Sequence, residues 1–184
     1  MITIQQQKHT KMAHQEQKNF CVSIQSKFPD KFKGVSVLDI GSLDINGNNR
    51  YLFEDYTYIG VDLGEGKNVD VISRGHEFNS KELFDIAIST ECFEHDEYWV
   101  QTINNIIAHL KSGGLFLFTC ATDGRPEHGT RRTSPQDAPF VGDYYRNLNE
   151  EIMKSEIDFD SIFNLYEFSS RQNPSDLYFY GIKK

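Results

Sequence analysis

The sequence predicts an α/β sandwich on a mostly parallel sheet that ends in an antiparallel hairpin. Three observations lead there. Strand-sized apolar runs alternate with helical patterns from Val35 onward. The first, fourth and fifth runs are almost continuously apolar, the habit of strands covered on both faces. Two aromatic-rich runs then flank the turn residues Gln172-Asn173-Pro174-Ser175-Asp176 near the C-terminal end. With 184 residues and no repeat, low-complexity tract or linker, the chain is expected to be a single domain spanning 1–184.

The first segment, 1–33, reads as helical. Phe20, Ile24 and Phe28 share one face and Pro29 stops it, while the polar stretch before about Thr10 is expected to fray. A core at 35–121 follows. Its strands are the run from Val35, Thr57 to Leu63, Val69 to Ser73, Leu83 to Thr90 and Gly114 to Ala121. A helix is expected to begin near Asn46-Gly47, between the first two strands. A second helix lies before the fifth strand. Trp99, Val100, Ile103, Ile106, Ile107 and Leu110 recur at helical spacing, with Asp96 as N-cap and Gly113-Gly114 as terminator. Residues 122–148 form a segment longer than loops usually are without function, read as a substrate lid. The last part, 149–184, holds a helix capped by Asn149 and the hairpin strands FNLYEFSSR and LYFYGIKK.

Composition narrows the function classes. A formal net charge of −8 argues against nucleic-acid binding, because neutralising phosphates needs a basic surface. No apolar run approaches the roughly 20 residues of a membrane helix, and the N-terminus lacks the apolar core of a secretory signal. Cys21, Cys92 and Cys120 are odd in number and unpatterned, which fits a reducing cytoplasm. Cys21 and Cys120 read as small core residues and Cys92 as half-buried. The expected partner is a small-molecule substrate, and the sequence is silent on oligomeric state.

In parallel sheets ligands bind beyond the carboxyl ends of the strands, where strand order reverses. The first strand ends Leu38-Asp39-Ile40-Gly41-Ser42, and the glycine allows close backbone approach. The second ends at Asp62, 21 residues after Gly41, the spacing at which an acidic residue holds a ribose in dinucleotide folds. A pyrophosphate would need further glycines where Leu43 and Asn46 stand, and Asp44 would repel it. S-adenosylmethionine carries a sulfonium and an ammonium and no phosphate, so acidic neighbours do it no harm.

VLDIGSLDING, followed by YIGVDL, FDIAISTECFEH and LKSGGLFLFT, resembles the class I S-adenosylmethionine-dependent methyltransferases. More narrowly it resembles their small methyltransferase-domain proteins, over about Val35 to Ala121. The resemblance implies a Rossmann-like, seven-stranded sheet with S-adenosyl-L-methionine as cofactor. It implies that Asp39, Gly41 and Ser42 lie against the methionine part, that Asp62 holds the ribose and that Leu63 packs on the adenine. Thr90 and Glu91 would face the methionine moiety and the substrate. The chain departs from the family pattern where glycines are usual near Leu43 and Ile45. It departs again after the third strand, where His76 or backbone must replace an acidic contact to the adenine amino group.

Methyl transfer needs the nucleophile held in line with the leaving sulfur, and a base only if the acceptor must lose its proton early. Glu91 and His128 are the candidate catalytic residues, with Glu94 and His95 weighed beside them. The plainer reading of that pair has Glu94 capping or salt-bridging near the next helix and His95 packing at the rim. Arg125, Arg131 and Arg132 make a basic loop that suits an anionic acceptor, and Tyr144 and Tyr145 are expected pocket walls. Convergence of Glu91, Cys92, Glu94, His95, Asp96 and His128 on a metal is considered, but the spacing matches no established ligand motif and no metal is expected. His9 and His14 belong to the polar first helix and His109 to a helix end. The expected function is methyl transfer to a small or medium oxygen or nitrogen nucleophile. The alternatives are a noncatalytic module that keeps the cofactor pocket as a scaffold, and a nicotinamide-dependent oxidoreductase disfavoured by Leu43 and Asn46.

Overall fold

The computed structural model describes residues 4–184, with side chains described from Gln15 onward. The expected fraying before Thr10, and the side chains of His9 and His14, lie outside the described residues. Seven strands form one sheet in the order β3-β2-β1-β4-β5-β7-β6. They are β1 (Ser36–Ile40), β2 (Thr57–Asp62), β3 (Val71–Ile72), β4 (Phe84–Thr90), β5 (Leu110–Ala121), β6 (Phe163–Arg171) and β7 (Asp176–Lys183). The first five pair in parallel, and β7 inserts antiparallel between β5 and β6. The expected architecture, hairpin included, is therefore present.

Alternation along the central strands sends side chains into two separate cores. Val37, Ile86, Ile88, Leu115 and Leu117 point to one face, where Cys21 and Ile24 of helix α1 (Ile4–Lys27) cover them. Leu38, Ala87, Phe116 and Phe118 point to the other, beneath Trp99, Ile103 and Ile106 of α2 (Trp99–His109). Met153 of α3 (Glu150–Glu156) and Phe159 of α4 (Phe159–Ile162) extend that second core across the hairpin. Each fully buried phenylalanine contributes roughly 1.5–3 kcal/mol of transfer free energy, so both faces of the sheet are firmly clad. No helix among the described residues is long and apolar enough to cross a membrane.

Several local expectations are corrected. Between β1 and β2 there is no α-helix, only a single 3-10 turn at Arg50–Leu52. The Asp44 carboxylate holds this loop by accepting from the Gly47 amide (2.8 Å) and the Asn48 side chain (2.9 Å) while pairing with Lys67 (2.7 Å). Such local side-chain bonds compete with helix formation. Tyr98, not Asp96, is the N-cap of α2. The Asp96 carboxylate instead receives the Tyr98 amide (2.8 Å) and the Thr102 hydroxyl (2.5 Å). The helix ends at His109 and β5 starts at once, so Gly113 and Gly114 lie inside a strand. Pairing of Leu110 with Phe84 and the Lys111–Asp85 ion pair (2.8 Å) pull these residues into the sheet. The third strand is reduced to Val71–Ile72. The Asn149 cap does form, its side chain accepting from the Ile152 amide at 2.8 Å.

Candidate active site

The strand order reverses between β1 and β4, and there a cavity of about 490 Å³ opens beyond the carboxyl ends of the strands. Its walls are the residues that follow each strand: Gly41 to Leu43 after β1, Asp62 and Leu63 at β2, Ser73 to Gly75 after β3, and Thr90 to Cys92 at β4. The Ser89 hydroxyl donates to the Ile40 carbonyl (2.8 Å) in the fully buried seam between the two central strands. The Asn49 amide nitrogen reaches the Thr90 hydroxyl (3.2 Å) and ties the first loop to the fourth strand.

Gly41 sits at φ +80, and a Cβ there would stand 2.6 Å from both Cβ and Sγ of Cys92. Both the backbone angle and the neighbour demand glycine. Asp62 is clamped at the cavity edge, its two oxygens accepting from the Leu43 amide (3.0 Å) and the Leu63 amide (2.7 Å). Each oxygen keeps a second lone pair for an incoming hydroxyl. Burial raises its pKa, opposed by those two amides.

Asp39 lies deeper and is almost completely buried. The Tyr58 hydroxyl donates to its Oδ2 (2.5 Å), while Oδ1 has no partner among the described residues. Burial, with the charge of Asp62 adding to it, pushes its pKa up to about 7 against the Tyr58 hydrogen bond. Ser42 Oγ is a second buried oxygen left bare on the same wall. Around the cavity stand Asp39, Asp62, Glu91, Asp96, Glu97, Asp137 and Asp143, against the cations Lys18 and Arg74. Two unpartnered acceptors in an acidic hollow fit a cationic amino-acid group and a sulfonium, and they are hostile to a diphosphate.

Glu91 lies on the cavity wall with φ +54, a left-handed conformation uncommon for a residue with a side chain. The Thr119 hydroxyl donates to its Oε1 (2.8 Å), and the Arg125 guanidinium stands 4.0 Å from Oε2. Burial raises its pKa, moderated by Arg125 and Thr119. Glu94 is fully buried. Its Oε1 accepts from the Ala121 amide (3.1 Å), its Oε2 has no partner among the described residues, and burial followed by the charge of Glu91 drives its pKa well up. It neither caps nor salt-bridges α2. Burial brings His95 down to about 3 and also lowers His128, so both imidazoles are neutral at pH 7.

The segment 122–148 folds over this end of the molecule. Asp137 to Tyr144 line the cavity, and the Phe140 ring is pressed so close to Gly64 that a Cβ there would lie 2.5 Å from it. Leu148 is buried and its amide bonds the Ala121 carbonyl (2.9 Å), while Arg146 donates its amide to Glu94 O (2.9 Å). Tyr145 packs its ring against His95 and His128 at centroid distances of 5.5 and 5.1 Å.

Of the residues expected at the site, Asp39, Gly41, Ser42, Asp62, Leu63, Thr90, Glu91 and Tyr144 line the cavity. His76 does not. It stacks on Tyr98 (4.3 Å), and its neighbours Ser73, Arg74 and Gly75 form the wall instead. Arg131 and Arg132 are exposed away from the cavity. Arg132 is bound to Glu127 (2.8 Å), and the Arg131 amide is bound to Asp143 (3.0 Å). Arg125 is paired with buried Asp176 (2.6 Å). The basic loop is thus largely neutralised from within. His128 and Tyr145 stand behind His95, one layer from the cavity. The sequence reading missed Asn49, whose only signal is its place after the first strand.

Residues 12–140 match the model of a family described as "Methyltransferase domain". That span is more than half of the chain, so the protein belongs to this family of class I S-adenosylmethionine-dependent methyltransferases. No functionally curated protein sequence matches it. Similar solved structures share the fold at low identity. One is the 1,6-didemethyltoxoflavin-N1-methyltransferase of Burkholderia thailandensis with bound 1,6-didemethyltoxoflavin and S-adenosylhomocysteine (16% identity, 90% of this chain and 77% of that one, TM-score 0.64). Another is the magnesium protoporphyrin IX methyltransferase of Synechocystis PCC 6803 with bound S-adenosylhomocysteine (12%, 100% and 89%, TM-score 0.67). A third is the N-methyltransferase NodS of Bradyrhizobium japonicum WM9 (13%, 81% and 78%, TM-score 0.55).

Proposed function

We propose that the protein transfers the methyl group of S-adenosylmethionine to an oxygen or nitrogen nucleophile on a small or medium-sized molecule. The observation that carries this is the cavity at the strand-order reversal, where clamped Asp62 and bare Asp39 Oδ1 and Ser42 Oγ stand together. When bound, the cofactor supplies an electrophilic methyl carbon whose sulfonium leaves as a neutral thioether. Asp62 takes the ribose hydroxyls, Leu63 supports the adenine, and Asp39 and Ser42 receive the amino-acid end. The wall after β3 contacts the adenine through Ser73 to Gly75 rather than through His76.

The acceptor then enters beside Thr90 and Glu91, under the lid formed by 122–148. Glu91 is the residue best set to position the nucleophile or take its proton, since it lies on the wall with one oxygen fixed by Thr119. Tyr144 and Phe140 wall the acceptor side. The internal pairing of Arg125 and Arg132 withdraws the support for an anionic acceptor, and an acidic cavity favours a neutral or cationic one. The three cysteines are all free, which supports a reducing, cytoplasmic setting.

The test is calorimetric titration with S-adenosylhomocysteine and, in parallel, NADH. Binding of the first alone, weakened about 100-fold in Asp62→Ala through loss of charge-assisted hydrogen bonds, is the expected result. Preference for NADH would overturn the reading. Tight cofactor binding with no turnover on any acceptor mixture would favour a noncatalytic scaffold instead.

A further inference from the structure

We infer that Glu94, His95 and His128 form a site for one divalent transition-metal ion, set at the acceptor end of the cavity. One ligand atom from each lies within 4.8 Å of the others. The residues reach this point by different routes. Glu94 and His95 come from the 3-10 turn Phe93–His95 just beyond β4, and His128 comes from the long segment after β5.

The protein holds two of the three groups by one atom and leaves the other atom bare. Glu94 Oε1 is fixed by the Ala121 amide, whereas Oε2 is buried without a partner on a side chain that is 0% exposed. His128 Nδ1 lies 3.1 Å from the Pro126 carbonyl, which assigns the proton to Nδ1 and turns Nε2 into a lone-pair donor. His95 Nδ1 is likewise buried and unpartnered. An orphaned buried carboxylate oxygen is costly, and one beside two imidazoles has the makeup of a metal pocket. Arg125, the nearby cation, does not relieve it, because it is engaged by Asp176 and Glu91.

The rings are also braced. His95 and His128 meet edge to face at 5.1 Å, Tyr145 packs on both, and Gly129 admits His95 at a distance where a Cβ would come within 2.6 Å of its ring. Ligands at about 2.0–2.1 Å from a tetrahedral ion lie roughly 3.4 Å apart, so closing on a metal takes about 1 Å of side-chain movement. Two imidazoles and one carboxylate suit Zn²⁺, Mn²⁺, Fe²⁺ or Co²⁺ better than Mg²⁺ or Ca²⁺.

Three protein ligands leave positions open. His95 stands on the cavity wall with Glu94 and His128 a layer behind it, so the role assigned to the open positions is to meet the acceptor where it reaches His95. This assignment of role rests on the methyltransferase reading above. It narrows the acceptor to an oxygen nucleophile with a second oxygen nearby, able to chelate. Coordination lowers the hydroxyl pKa and its proton passes to water. The oxygen lone pair then forms the bond to the methyl carbon as the carbon–sulfur bond breaks toward sulfur.

The experiment is titration of the chelator-stripped full chain with Mn²⁺, Zn²⁺ and Mg²⁺, followed by calorimetry and, for Mn²⁺, by electron paramagnetic resonance. We expect one Zn²⁺ or Mn²⁺ per chain, with weaker Mg²⁺ binding. Affinity should fall at least about 100-fold in both Glu94→Gln and His128→Ala, since losing a ligand costs more than the roughly 10–100-fold that losing an outer-shell partner costs. Because Glu94 is buried, the half-buried His128 provides the variant that keeps the fold, checked by unchanged S-adenosylhomocysteine affinity. Absence of stoichiometric binding to the wild-type chain, or equal binding in His128→Ala, would overturn the site. Metal binding in a chain that fails to take S-adenosylhomocysteine would uphold the site and overturn the methyltransferase role given to it.

Discussion

The two sides of the cavity are built in opposite ways. The cofactor side consists of short turns directly after parallel strands, with Asp62 and Thr90 placed by the ladder itself, Gly41 held by its amide on the Val61 carbonyl, and Asp62 fixed by main-chain amides. The acceptor side is one long segment whose two ends are tied by backbone and whose middle is held by side chains: Asn147 to the Arg125 carbonyl (2.9 Å), Thr130 to Glu127 (2.6 Å), Tyr145 to Asn147 (2.9 Å). A site made of backbone changes little when surface residues change, whereas a site made of side-chain ties can be remodelled residue by residue. A shared cofactor beside varied acceptors follows from that division.

The comparison can be broken most forcefully at Asp39. Its pKa, near 7 in the folded protein, lies above the ordinary unfolded value of about 3.9. The folded state therefore binds that proton more tightly. Its contribution to stability is complete below about pH 4 and is lost as pH rises through about 7, a change on the order of 4 kcal/mol. Asp39→Asn should flatten this dependence and raise Tm of the ligand-free protein at pH 8. A cationic cofactor favours the ionised form, so wild-type affinity for S-adenosylmethionine should tighten between pH 6 and 8 while the variant's does not. Calorimetry and thermal melts across that range decide it, and an identical pH profile in the two proteins would refute the role of Asp39.

Gly41→Ala should come next, at about 2–4 kcal/mol of lost stability, from the left-handed backbone angle together with the collision with Cys92. Denaturant melts of this variant paired with Cys92→Gly sharpen the point. Relief of part of the loss would assign it to the collision, and no relief would assign it to the angle. The smallest effect belongs to the acceptor-side surface. Arg131→Glu with Arg132→Glu should leave cofactor affinity unchanged and move acceptor KM by less than about twofold, since surface changes away from a site are usually near neutral. A tenfold rise in KM would restore these arginines to the site.

The same contrast explains what the sequence disclosed. Strands such as Leu115 to Phe118 are legible because both faces are covered, and the residues after them inherit their place from the fold. The loop after β1 was misread as a helix because its structure depends on Asp44 reaching Gly47, Asn48 and Lys67. Asp96 resembles a cap but stands two residues ahead of the capping position, Tyr98. The meeting of His95 with His128 is invisible in the chain, where more than thirty residues separate them and only the fold of the long segment unites them. Internal pairing of Arg125 and Arg132 is hidden for the same reason. Charge composition counts these groups without saying which of them cancel.

The Ser89 hydroxyl on the Ile40 carbonyl has one more consequence. At a strand-order reversal the two central strands send their chains away in opposite directions, and the carbonyl at the parting would otherwise call for a partner from across the gap. With that need met inside the sheet, the Ile40 carbonyl makes no demand across the gap. The crevice is thus preorganised: the entropy of shaping it is spent when the chain folds, and an arriving ligand meets a receptor that is already formed.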